Sequence, residues 1–162
     1  MRRVLLKILN SHTMMIDIDT AISKKYDLDI IKSIHEYSPI NNDHLILAVY
    51  YDSKPDILKF LYDKGACDYE NICIEIAIEN KASVDVFSFL IENKFLYTKS
   101  HIISAQNILG KDNEITKMLV ENYPDLDLDT AVDYGSLTNV KRIIENDTAT
   151  YSDDILTRSL QR

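Results

Sequence analysis

Pro55-Asp56-Ile57-Leu58-Lys59-Phe60-Leu61-Tyr62-Asp63 is the stretch on which the fold turns. Ile57, Leu58, Leu61 and Tyr62 recur at the i, i+1, i+4, i+5 spacing of one helical face. A strand would need alternation, which Ile-Leu-Lys-Phe-Leu lacks. Pro55 suits a first helical turn, where no N–H is needed. The pattern returns in segments 28–36, 84–92, 113–121 and 137–145. Each has an aliphatic pair or near-pair, a Lys (Ser in the 84–92 segment), a second apolar cluster and an acid. The shared fifth position falls at 32, 59, 88, 117 and 141, in steps of 27, 29, 29 and 24. Asp27, Ser83, Asp112 and Ser136 are the expected N-caps, because their side chains can accept from free backbone N–H groups.

Outward from these segments, a shorter apolar stretch precedes each one: 20–23, 44–50, 72–78, 101–105 and 129–132. Each carries an alanine, at 21, 48, 77, 105 and 131, in phase with the second helices. A small residue at a fixed place lets stacked helix backbones approach. The expected architecture is therefore all-α: about five helix pairs with short connections. One such pair cannot bury its own apolar face, so neighbours must stack to make a core. Leu61, Leu90, Leu119 and Ile143 are the expected equivalent core positions.

The run Ala131-Val132-Asp133-Tyr134-Gly135-Ser136-Leu137-Thr138-Asn139-Val140-Lys141-Arg142-Ile143-Ile144-Glu145 resembles the helix–Gly turn–helix of the ankyrin repeat. Leu61-Tyr62-Asp63-Lys64-Gly65-Ala66 resembles the end of an ankyrin unit. The period is shorter than 33 residues, the T-P-L-H-x-A signature is absent, and the inter-repeat loops are short for β-hairpin fingers. This degenerate form is similar to that of ankyrin repeats in large DNA viruses. The resemblance implies an ankyrin-like helical repeat solenoid with shortened inter-repeat loops. Its repeats run roughly over 16–41, 42–69, 70–98, 99–125 and 126–150, with terminal caps at 1–15 and 151–162. It also implies a protein–protein interaction module working through the concave surface of stacked repeats, in a viral setting a host-interaction protein. A self-assembling structural helical-repeat protein is the alternative.

Composition bounds the partner. The 162 residues carry a formal net charge of −8. Nucleic acid and anionic membranes both need Lys and Arg to replace counterions, so neither is an expected partner. Another protein is the expected partner; a basic surface on it is compatible with the charge, which a solvated acidic face also explains. The expected state is a monomer. No apolar run approaches the 18 residues of a membrane span. The apolar part of Met1–Leu9 is cut by Lys7 and is too short for a signal peptide. The expected location is therefore the cytoplasm, the host's if the protein is viral. Cys67 and Cys73 match neither a metal motif nor a secreted disulfide framework, and are expected to be buried free thiols.

Neither enzymatic chemistry nor a cofactor is expected. His12, His35, His44 and His101 have no ligand-spaced partner and read as ordinary surface or turn residues. Gly65, Gly110 and Gly135 read as turns, not as a phosphate loop. The ten tyrosines, with no Trp, are the unusual feature. Tyr offers apolar area with a polar tip and favours recognition surfaces. The expected partner-binding residues are Tyr50, Tyr69, Glu75, Glu79, Tyr97 and Gln106, on first helices and inter-repeat loops. Tyr26 and Tyr62 are expected to pack over helix ends.

Overall fold

Ten helices make up the regular structure of the computed structural model, which describes residues 16–68, 71–124, 126–134 and 136–145. They alternate in chain order between a first and a second helix: α1 (Ile18–Ser23), α2 (Leu28–His35), α3 (Asn42–Tyr50), α4 (Pro55–Asp63), α5 (Cys73–Glu79), α6 (Val84–Glu92), α7 (Lys99–Leu109), α8 (Glu114–Asn122), α9 (Leu128–Asp133) and α10 (Leu137–Glu145). There is no strand among the described residues. The expected terminal caps, 1–15 and 151–162, lie outside the described residues.

Each first helix packs on its own second helix. Beyond that, α1 packs on α3, α3 on α5 and α5 on α7, while α4 packs on α6 and α6 on α8. First helices α1, α3, α5 and α7 thus line up in one layer and second helices α4, α6 and α8 in another. The in-phase alanines sit between first helices and are all buried. Three residues before each one, Ile18, Leu45, Ile74, Ile102 and Leu128 form a buried ladder through the layer. Leu61, Leu90, Leu119 and Ile143 are buried at matching places in the second layer. The C-terminal pair is locked by Asn139, whose buried side-chain amide donates to the Val120 carbonyl and to Ser136 Oγ.

The alanines also mark how a first helix stops. Tyr26, Ser53, Ala82 and Ser136 each donate their N–H back to the carbonyl of the alanine five residues earlier. This six-to-one bond is the Schellman closure, and it asks the preceding residue for a left-handed conformation. Glycine would be expected there, but Lys25, Asp52 and Lys81 hold φ of 54°, 51° and 53°. Two second helices close the same way, Ala66 onto Leu61 and Phe95 onto Leu90, through Gly65 (φ 95°) and Lys94 (φ 60°). A side chain held left-handed costs about 1–2 kcal/mol, part of which glycine gives back as extra entropy in the unfolded chain. Lys81→Gly and Lys94→Gly should therefore each stabilise the fold, by about 0.5–1 kcal/mol. Urea unfolding of the two variants checks this; a loss of stability in both would mean the turns are not strained.

Some local expectations are corrected. Asn113, not Asp112, caps α8: its Oδ1 accepts the Ile115 N–H at 2.8 Å. Asp27 and Ser83 stand at N-cap positions but make no capping bond. Their groups tie neighbouring turns together instead. Lys54 Nζ donates to Asp27, and the Ser83 N–H and hydroxyl both donate to Asp52 Oδ1 at 2.8 Å. Cys73 is buried as expected, but Cys67 is exposed. Ala66 fills the core after the Leu61 closure, which leaves the next residue facing out, its N–H donating to Asn42 Oδ1.

Candidate functional site

A first helix whose alanine faces its neighbours turns the residues two before and two after that alanine away from the core. Along the layer these pairs are Asp19/Ser23, Ile46/Tyr50, Glu75/Glu79, Ile103/Asn107 and Asp129/Asp133. All are exposed except Ser23 and Ile46, which are half-buried. Leu47 and Ile76 join them, half-buried, one residue before their alanines. The result is a continuous outer face of the first-helix layer with no element packed on it among the described residues.

Three of the expected partner-binding residues meet on this face. Tyr50 is 50% exposed and stands edge-on to Tyr51, with ring centroids 5.0 Å apart. Glu75 and Glu79 occupy successive turns of α5, the helix packed beside α3. Of the others, Tyr97 is not brought to it, and Gln106 reaches only its C-terminal end, where it lines a cleft with Ile103 and Asp133. Tyr69 lies outside the described residues. Gln106 follows its alanine, is half-buried, and accepts the Tyr134 hydroxyl through Oε1. Tyr97 is a structural residue: its hydroxyl donates to the Leu119 carbonyl at 2.9 Å and its ring packs on Tyr123 at 5.6 Å. Burial, with a smaller push from Tyr123, raises its phenol to about 12. Tyr26 and Tyr62 pack as expected, Tyr62 against Phe89 and Phe95. Ile46, Leu47, Ile76 and Ile103 belong to the face but were not among the expected residues. Counting two either side of each alanine finds Ile46 and Ile103, but not Leu47 and Ile76.

The charges of the two layers differ. Within the first helices stand Asp19, Asp43, Glu75, Glu79, Asp129 and Asp133, against Lys99 alone. The second helices mix their acids with Lys32, Lys59, Lys117, Lys141 and Arg142. Lys99 is itself engaged, donating to Asp127 Oδ2 at 2.6 Å. At the C-terminal end of the face a cleft of about 290 Å³ opens between α7 and α9, lined by residues that include Ile103, Thr130 and Asp133. Lys111 overhangs it, its Nζ 5.6 Å from the centre of the Tyr134 ring.

Asp127 carries the clearest electrostatic signature here. Partial burial pushes its carboxyl up, but Lys99 and the Thr130 N–H and hydroxyl together overrule this and hold it at about 2. The unfolded chain takes up that proton nearer the ordinary 3.8. Between about pH 4 and pH 2 the unfolded state binds more protons, so this contribution is present above pH 4 and lost as the pH falls through 2. The pair is half exposed and screened, so the loss should be about 1 kcal/mol or less. Acid titration of stability, compared with Asp127→Asn, checks this; an identical acid limb in the variant would remove Asp127 from the account.

Two of the histidines, His44 and His101, prove to be caps, while His12 lies outside the described residues. The Asn41 N–H donates to His44 Nδ1 at 2.9 Å while the His44 N–H donates back to Asn41 Oδ1. That places the imidazole proton on Nε2, which faces Asp19 Oδ1 at 3.2 Å. His101 repeats the arrangement at the start of α7, where the Thr98 N–H donates to its Nδ1 at 3.0 Å. These are capping boxes with histidine in the usual place of Glu or Gln, and His44 is buried, not an ordinary surface residue. His35 packs edge-on to Phe60. Among the described residues no group of three or more His, Cys, Asp or Glu is placed to hold a metal ion. No described helix is long and apolar enough to cross a membrane. No family model, curated protein or solved structure matches this chain.

Proposed function

We propose that the chain is an ankyrin-like helical-repeat protein that binds a partner protein, one with a basic surface, through the outer face of its first-helix layer. The observation that carries this reading is the contrast between the layers: one helix layer is acidic, bears exposed apolar residues and is left uncovered by the described residues, while the other is of mixed charge. The ankyrin likeness is supported by the stacking of first helices on first helices, by alanine-phased helix closures, and by Thr98 and His101, which stand at T-x-x-H spacing and cap a first helix. The further likeness to degenerate viral repeats, the cytoplasmic setting and the absence of catalysis belong to the same proposal. The sign of this face disfavours nucleic acid and anionic membrane as its partners.

The test is capture from a cell extract with wild-type protein beside a Glu75→Lys/Glu79→Lys variant of equal stability. A protein retained by wild type and lost by the variant supports the reading; retention by both overturns it. The second reading, self-assembly, rests on Leu137 and Ile144 of α10, the last described helix, which are 73% and 49% exposed. Light scattering separates the two: a monomer at high concentration disposes of self-assembly.

A further inference from the structure

The acidic and apolar residues of the first-helix face are unevenly distributed from helix to helix. Helix α3 presents Ile46, Leu47 and Tyr50, with Asp43 one turn before them. Next to it α5 presents Glu75 and Glu79 about the half-buried Ile76, and α7 then presents Ile103 and the neutral Asn107, with Lys99, paired to Asp127, one turn before Ile103. Acid returns at the ends, on α1 with Asp19 and on α9 with Asp129 and Asp133. Neighbouring helices in a packed layer lie about 8–10 Å apart, so the apolar residues of α3 and α7 are separated by roughly 20 Å with a carboxylate pair midway.

The strip has the footprint of a helix. Helix α5 has seven residues and is therefore about 10 Å long, close to the ~10–12 Å diameter of an α-helix with its side chains. A helix laid along the stack climbs about 10 Å in six or seven residues, one heptad for each first helix that it crosses. Resting on the reading of this face as the partner-binding surface, we infer that its occupant is a basic amphipathic helix with a central lysine or arginine pair over Glu75 and Glu79. Apolar residues about one heptad to either side would seat on Tyr50 and Ile103. The charge argument is direct: α3 and α5 carry Asp43, Glu75 and Glu79 and no Lys or Arg, so a cationic pair meets a net negative charge at the centre of the strip.

The test uses two synthetic helical peptides of one composition. In the matched peptide a central lysine pair is flanked by leucines one heptad away; in the swapped peptide the leucines are central and the lysines flank them. Fluorescence anisotropy against the full chain should show the matched peptide binding at least tenfold tighter. Glu75→Gln/Glu79→Gln should cut that affinity about tenfold and flatten its salt dependence, with the helical circular-dichroism signal unchanged. Equal affinity for both peptides overturns the register; if Tyr50→Ala weakens both alike, the functional reading survives that failure. A matched peptide broken by a central proline that binds as well as the intact one overturns the helical occupant. No measurable binding of the matched peptide overturns the inference outright, and the functional reading then rests on its own capture experiment.

Discussion

Truncating Leu61 or Leu90 to alanine should destabilise the protein by about 2–5 kcal/mol, the cost of lost burial plus a residual cavity. Both side chains are fully buried. Each belongs to a second helix with a neighbour in its own layer, α4 on α6 and α6 on α8, as well as its first helix. A cavity there loosens two interfaces of a stack in which each pair is held only by its neighbours. Each leucine also supplies the carbonyl that closes its helix, to Ala66 and Phe95 respectively. The truncation therefore removes packing at the point where the turn geometry is set. Ile143, on the last described helix and slightly exposed, should fall at the low end of the range. Chemical denaturation of the variants beside the exposed-site control Lys59→Ala gives the comparison. A cost below roughly 0.5 kcal/mol at both leucines, the level of an exposed site, would show that the repeat register is wrong.

That register was legible because two independent signals share one phase. The apolar-Lys-apolar segments predict second helices at 28–36, 55–63, 84–92, 113–121 and 137–145, and the observed bounds differ by at most one residue. The alanines fix the first helices less sharply. Helix α7 runs from Lys99 to Leu109, beyond the predicted 101–105, because Asn107-Ile108-Leu109 carry it past the place where its counterparts close. The turn chemistry was harder to see. Lys25, Asp52 and Lys81 share an alignment position with Gly135, four residues after an alanine, but lysine carries no turn signal of its own. Stacking therefore dictates the left-handed conformation there against local preference. The capping histidines escaped for a related reason. Histidine is not the residue expected opposite an N-cap, and only the 2.9–3.0 Å contacts to the Asn41 and Thr98 N–H groups show its part. At the candidate site, Tyr50, Glu75 and Glu79 could be read from helix periodicity, because an exposed helical face is a local property. Tyr97 could not: what occupies it is the Leu119 carbonyl, twenty-two residues away.

Tyr50 and Tyr97 are therefore expected to part company on mutation. Tyr50→Ala removes a half-exposed ring that stands edge-on to its neighbour Tyr51, so it should leave stability within about 0.5 kcal/mol of wild type. If Tyr50 anchors the partner, the same change should cost about 2 kcal/mol or more of affinity, a loss of roughly thirtyfold, as aromatic hot spots do. Tyr97→Ala should behave in the opposite way. It leaves the Leu119 carbonyl without its hydroxyl donor and strips the ring from Tyr123, for a stability cost of about 1–3 kcal/mol. Tyr97→Phe should recover the ring packing but not the hydrogen bond. Affinity should follow Tyr97 only as far as the fold is lost, so the binding constant of its folded fraction should match wild type. The acidic face adds a kinetic expectation: association with a basic partner should slow as salt rises, because steering between opposite charges is screened over about 8–10 Å. Titrations of both variants at several ionic strengths, alongside their unfolding curves, measure all of this together. Unchanged affinity in Tyr50→Ala with a salt-independent association rate would take the first-helix face out of the binding surface and leave the second-helix layer or the ends of the stack.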